Sequence, residues 1–338
     1  MANAVTIDFD YTYNGQDATE MLYKPSVQTP DILRLFKVIT GIKNKHQLTL
    51  ASNISNIVKA YSGCGTRTAS GTVALDNRTL TVNEVQVFLE QCKDAFENTM
   101  YEEFLAAGID ANDIGASSVI TGIIDKLMID GMRRDNFRLF SFGDVNSSNE
   151  NLNGMTGMWP RLFAGVQDSY CVKRQDNISA LNQTAGTRAI DYFRNLYEGA
   201  SIILKQIPKE EKAFFVTGNV YENFQSNLEN ADQNANGVQL VTKGDGGVIL
   251  FRGVEVVPIY AWDDAISAYS LGNKSRILYT WKQNHVIGVD RASDQGAVRG
   301  WYEKKDRKYY IEAQYRMGYN YVHCDLSSVS YGNATNVY

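Results

Sequence analysis

The sequence predicts an α+β protein of about two domains, and three observations carry that reading. Strands with clean alternation stand near both ends of the chain. Helical stripes with three- and four-residue steps occupy separate stretches between them. A Gly/Asn/Ser-rich connector at 143–157, ending at Met158-Trp159-Pro160, divides the 338 residues into two regions.

The chain opens with Val5, Ile7, Phe9, Tyr11 and Tyr13 alternating with Thr6, Asp8, Asp10 and Thr12, an amphipathic strand. Asn14-Gly15 marks a turn, and a short helical stretch from Asp17 to Tyr23 stops before Pro25 and Pro30. A strand so patterned needs a sheet edge, its own or a neighbour's. Leu33 to Ile42 is apolar, then Lys43, Lys45 and His46 lead into Gln47-Leu48-Thr49-Leu50-Ala51. The stretch from Ser62 to Thr72, with Arg67 in it, holds almost no large apolar side chain, and Val73, Leu75, Leu80 and Val82 return with strand character. Residues 36–88 therefore predict two strands flanking a polar tip that projects from the body.

Phe88, Cys92, Phe96, Met100 and Phe104 recur every four residues and predict a helix ended by Gly108. A second helix, capped by Asp113, carries the stripe Val119, Ile120, Ile123, Ile124, Leu127 and Met128 and runs to about Met132-Arg133-Arg134. Beyond the connector, Ile190, Phe193, Tyr197, Ala200, Leu204 and Ile207 predict one helix that Pro208 terminates. Strands are predicted at Ala213–Thr217, Val248–Phe251, Val254–Ile259, Ile277–Tyr279 and Val286–Val289, around a polar loop at 230–247. Tyr309, Ile311, Ala313, Tyr315 and Met317 face one way along a further strand, and Gly318 allows a turn into Tyr319–Leu326.

Composition narrows the function. Hydrophobic content of 44% and charged content of 21% are those of a globular protein, while 20 Tyr and 14 Phe suit surfaces that meet protein. A net charge of −5 without a compensating basic stripe argues against tight nucleic-acid binding, and suits a container wall that must not grip phosphates. Cys64, Cys92, Cys171 and Cys324 are widely spaced and read as reduced thiols in a cytosol. The first residues have no basic and apolar succession of the signal-peptide kind, and no stretch reaches the length of a membrane span.

Catalytic and metal-binding constellations are not expected. His46 reads as a solvated polar residue, His285 as part of a hairpin turn, and His323 as a strand neighbour of Cys324 facing the opposite way. Asp232-Gln233-Asn234-Ala235-Asn236-Gly237 imitates the start of a calcium loop, but Lys243 falls where a bidentate Glu is required. Asp263-Asp264 and Glu210-Glu211 are adjacent carboxylates that diverge on either helix or strand. No catalytic residue, cofactor or metal ligand is therefore assigned.

The order of elements resembles a specific family. Ile129-Asp130-Gly131-Met132-Arg133-Arg134, then Phe142-Gly143-Asp144, then Gly154-Met155-Thr156-Gly157-Met158-Trp159 look like the passage from spine helix to junction in tailed-bacteriophage major capsid proteins of the Hong Kong 97 type. Phe214-Phe215-Val216 through Phe224, and Phe251-Arg252-Gly253-Val254-Glu255-Val256-Val257-Pro258-Ile259, are similar to steps of that family's axial lobe. The resemblance implies an N-terminal arm at 1–35, an extended loop at 36–88, a peripheral domain with a long spine helix at 89–165 and 305–338, and an axial domain at 166–304. It implies a non-enzymatic subunit that self-assembles into the hexamers and pentamers of an icosahedral shell around a DNA genome. The partners expected are other copies of the chain, a portal, a scaffold or decoration protein, and DNA in weak non-specific contact, with no membrane. The location implied is the virion, with assembly in the cytoplasm of the bacterial host. Val5, Ile7, Phe9, Tyr11, Lys43, Lys45, Leu48, Leu50 and Arg67 become the candidates for contact between subunits. A scaffold, if one is used, is expected to be a separate protein, and no Lys–Asn cross-link is expected from Lys43, Lys45 or Lys59. The alternatives are an encapsulin-like compartment shell and a monomeric α+β enzyme with 36–88 folded back as a lid.

Overall fold

The computed structural model describes residues 36–51, 75–92, 131–167, 172–231, 241–243, 249–290, 298–303, 305–306 and 308–332. Val5, Ile7, Phe9, Tyr11, Arg67, the calcium-loop look-alike and most of the two helices predicted at 88–134 lie outside them.

The larger sheet has seven strands in the order β5-β14-β10-β6-β9-β8-β7. These are β5 (Lys173–Asn177), β14 (Ser327–Tyr331), β10 (Arg276–Trp281), β6 (Lys212–Val216), β9 (Val254–Pro258), β8 (Ile249–Phe251) and β7 (Val241–Lys243). β6 is buried throughout, and its alternation assigns the two faces. Phe214 and Val216, with Ile277 and Tyr279 of β10, enter a core with Phe193, Leu196, Phe224 and Phe251. Ala213, Phe215 and Leu278 enter the opposite core with Phe140, Trp159 and Trp262. β6 runs parallel to β9, a pairing that needs a crossover, and the helix Gly218–Ala231 supplies part of it.

The smaller sheet is organised by the long β13 (Lys308–Tyr321). It pairs antiparallel with β12 (Val298–Glu303) from Lys308 to Ala313, with β4 (Asn83–Cys92) from Lys308 to Met317, and with β11 (His285–Val289) from Met317 to Tyr321. β1 (Lys37–Ile39) lies parallel to β11. A separate antiparallel ribbon joins β2 (Lys45–Ala51) to β3 (Leu75–Thr81) in register Lys45↔Thr81 through Ala51↔Leu75.

The helical residues 131–142, α1 here, bury Met132, Phe137, Leu139, Phe140 and Phe142, and the helix Met158–Gln167, α2, buries Trp159, Leu162 and Phe163. Trp159 and Trp262 meet edge to face at 5.3 Å, and Trp262 Nε1 donates to Ser141 Oγ at 2.9 Å. These contacts tie α1 and α2 to the helix Tyr260–Ala268 over the seven-stranded sheet.

Several expectations need correction. Phe88 and Cys92 sit in β4, because their stretch also alternates in steps of two and β13 offers ten backbone partners, which overrides helical spacing. α1 continues to Phe142, beyond the predicted end at Arg134, since Phe137 and Phe140 keep an apolar stripe facing the core. The helix predicted over 190–207 is two, Ala189–Gly199 and Ile202–Gln206. Ala200 and Ser201 are extended between them, and Ser201 Oγ accepts from Leu204 N to cap the second. Gly318 makes no turn. It lies inside β13 where a Cβ would collide with the carbonyl of Thr81, so the glycine admits close backbone approach. Part of the loop predicted at 230–247 is strand β7. Cys324 is disulfide-bonded instead of reduced, spacing in sequence being no measure of distance in space.

Candidate functional site

Two places among the described residues join polar side chains from strands remote in sequence: the base of the β2–β3 ribbon and the junction between the two sheets. At the ribbon base, Leu48 is only 5% exposed and packs with Ile42, Leu80, Val82 and Val286. Its apolar side chain therefore anchors the ribbon to its own body. Lys43 and Lys45 are exposed, Leu50 pairs with Asp76 through the ladder, and Thr49 Oγ1 donates to Asn77 Oδ1. Arg316 Nη1 donates to the Lys43 carbonyl, and Asn320 Nδ2 donates to the Thr79 carbonyl at 2.8 Å. Arg78 stacks over the Tyr321 ring at 4.3 Å. Root and body are thus fixed to each other by β13.

The outward face of β4 and β13 carries Glu84, Gln86, Phe88 and Glu90 beside Lys308, Tyr310 and Arg316. Phe88 stays 54% exposed while stacking on Tyr310 at 5.7 Å. Glu90 and Lys308 pair at 3.1 Å. On the larger sheet's side, Ile202 and Ile203 of the short second helix are exposed.

The chain passes between the sheets through two short links that lie side by side, 282–284 and 322–326. Asn284 braces them: its carbonyl accepts from Val322 N, its Oδ1 from His323 N, and its Nδ2 donates to Ser327 Oγ. His285 is fully buried as the first residue of β11 and takes no part in a hairpin turn, which corrects the sequence expectation. Its Nδ1 lies 2.6 Å from the Tyr319 hydroxyl and its Nε2 3.1 Å from Thr280 Oγ1. Burial pushes the imidazole down to about 3. His323 is also off its predicted strand: it caps a short 3₁₀ turn, its Nδ1 accepting from Asp325 N. Asp263 accepts from Gly218 N at 2.5 Å at the start of the Gly218–Ala231 helix. Burial raises its carboxyl above the usual value, opposed by the amide hydrogen bonds of Gly218 and Asn219. Both assignments show why chemistry-bearing residues were misplaced from sequence: pairing across 30 to 40 residues decides them.

Among the described residues no three His, Cys, Asp or Glu side chains converge on a common metal position. No helix among the described residues is long and apolar enough to cross a membrane.

No protein-family model matches the sequence, and no curated protein matches it. The fold does match solved structures. A chain of the satellite phage P4 procapsid including size determination (Sid) protein aligns with a TM-score of 0.55 at 10% identity, over 93% of this chain and 99% of that one. The capsid of an empty GTA particle aligns at 0.53 and 10%, over 94% and 99%. Microbacterium phage Oxtober96 aligns at 0.53 and 12%, over 97% and 96%. The protein has the fold of phage capsid shell subunits. That fold is the Hong Kong 97 type, which the order of sequence elements already resembled.

Proposed function

We propose that this chain is the major capsid protein of a tailed bacteriophage, a subunit that assembles into hexamers and pentamers of an icosahedral shell around a DNA genome. The observation that carries the reading is the extent of the structural match: 93–97% of this chain against 96–99% of chains from a P4 procapsid, a GTA capsid and Microbacterium phage Oxtober96, leaving little of either chain unaccounted for. Likeness over only one lobe would have been compatible with a shared module, whereas likeness over nearly the whole length favours a shared role. The part played by the chain is structural, with no reaction of its own.

Within this reading residues 1–35 form an N-terminal arm, 36–88 the extended loop, 89–165 with 305–338 the peripheral domain, and 166–304 the axial domain. Lys43, Lys45 and Arg67 supply charge on the loop, and Leu50 with Val5, Ile7, Phe9 and Tyr11 of the arm supplies apolar and aromatic surface for contact between subunits. A two-stranded ribbon with free edges is a liability in a monomer and an asset in a closed ring of copies. The expected partners beyond other copies are a portal and a separate scaffold or decoration protein. DNA is expected in weak contact only, as the net charge of −5 suits. The virion is the expected location, with assembly in the host cytoplasm.

Negative-stain electron microscopy of the purified chain, beside size-exclusion chromatography, tests this. Closed shells, or rings of five and six subunits, are the expected result. A monomer at all concentrations, even when mixed with the scaffold protein from the same genome, would overturn it.

A further inference from the structure

The buried polar cluster at the sheet junction is a hydrogen-bonded circuit, and one assignment of its protons satisfies every member. Thr280 Oγ1 gives its single hydrogen to the Leu326 carbonyl at 2.8 Å, the nearer of two within reach, that of Trp281 lying at 3.3 Å. The same oxygen then accepts from Nε2 of His285 at 3.1 Å, so Nε2 carries the imidazole proton. Nδ1 is then the acceptor, and the Tyr319 hydroxyl donates to it at 2.6 Å. Ser327 Oγ, 2.9 Å from Thr280 Oγ1 and 3.4 Å from Nε2, donates to the threonine and accepts from Asn284 Nδ2 at 2.9 Å. In this arrangement the histidine is neutral.

The circuit joins strands of both sheets. Thr280 and Ser327 belong to β10 and β14 of the larger sheet, His285 and Tyr319 to β11 and β13 of the smaller one. All four are at most 1% exposed, as is Asn284 in the link. The remaining neighbours of the ring are apolar or distant: Phe36 meets it edge-on at 5.6 Å, and Tyr319 lies parallel at 5.9 Å. Arg161 of α2 and Arg78 of β3 act on Tyr319, as does Tyr321 of β13, while His323 and Asp325 pair with each other at 3.9 Å in the second link. Among the described residues no charged group acts on His285 itself; removal from water lowers its basicity.

We propose that the His285–Tyr319–Thr280–Ser327–Asn284 cluster is a proton-sensitive latch that fastens the two sheets together while His285 is neutral and lets their junction open when it takes a proton. A second proton would turn Nδ1 into a donor and the Tyr319 oxygen into its acceptor, leaving the hydroxyl hydrogen without an acceptor among the described residues, beside a buried charge. The open junction binds a proton at the ordinary histidine value near 6.5, whereas the closed one resists it down to about 3. The closed form therefore loses ground as pH falls from about 6.5 towards 3, by about tenfold in the closed/open ratio per pH unit.

The test is hydrogen–deuterium exchange of the full chain between pH 6.5 and 4.8, corrected for intrinsic exchange, following peptides over 276–289 and 317–331. Opening of these peptides should rise about tenfold per pH unit. His285→Gln, which keeps an acceptor and a donor without titrating, should flatten the slope, and His323→Gln should leave it. A slope retained in His285→Gln, or absent from the unmodified chain, overturns the latch. Should His285→Gln fail to fold, the imidazole ¹⁵N shifts of the unmodified chain decide. Neutral His285 protonated at Nε2 down to pH 4.8 supports the latch, and titration near 6.5 in the closed state overturns it.

Discussion

Phe214 stacks on Tyr279 at 4.4 Å between centroids and meets Phe251 edge-on at 5.8 Å, and it is fully buried. Such a side chain contributes dispersion and area at once, and no neighbour is free to fill its place. Phe214→Ala should lower the unfolding free energy by about 3–5 kcal/mol, read from the urea midpoint at constant m-value. Asp191 illustrates a charge held by its surroundings. Burial pushes its carboxyl up, but the hydrogen bonds from Arg188 and from Gly186 N–H outweigh it and hold it below the ordinary carboxylate value. Its stabilisation is complete above the unfolded value near 4 and is lost as pH falls through the lowered folded one. Asp191→Asn should therefore cost about 1 kcal/mol at pH 7 and less at pH 3, measured by denaturation at both.

At the scale of elements, the ribbon and the helices teach different lessons. β2 and β3 root in a small cluster around Leu48 and Leu80, and the rest of the ribbon adds little to the body's core. Replacing residues 52–74 by a short Asn-Gly turn, which keeps Leu48, Arg78 and Thr79 and joins the paired Ala51 and Leu75, should leave a folded chain with an unchanged melting profile for the two sheets. It should also abolish shells in the electron microscope; normal shells from that variant would count against the ribbon's role. Elements with an unambiguous period were legible in the sequence, β6, β9, β11 and the first half of β13 among them. Those misread were decided by partners remote in sequence. The run from Phe88 to Cys92 satisfies both periods until β13 is known to lie beside it. His285 looked like a turn residue because 282–284 does bend, yet the bend passes from one sheet to the other. Neither the buried cluster nor the Gly318 approach has a local signal, since each joins residues separated by dozens of positions.

For the whole molecule, the candidate contact residues were read from pattern and family likeness, and only Lys43, Lys45, Leu48 and Leu50 fall among the described residues. Leu48 turned inward because the ribbon must be rooted somewhere, a demand that alternation alone does not reveal. If the chain builds a shell as proposed, removing residues 1–13 should block closure while leaving subunits with native secondary structure. Circular dichroism and electron microscopy of that truncation check the two halves of the statement separately, and intact shells would remove the arm from the assembly mechanism.

The position of β14 has a consequence for how the molecule is made. The strand Ser327–Tyr331 follows every other strand of the larger sheet in sequence yet lies inside it, bridging β5 and β10. A nascent chain still attached at that point has a gap in its sheet, with Leu278 and Phe163 lacking the apolar neighbours Val329 and Tyr331. Folding of that lobe is therefore completed only once residues 327–331 have been made, and a chain interrupted before them is left open where one that has them is closed.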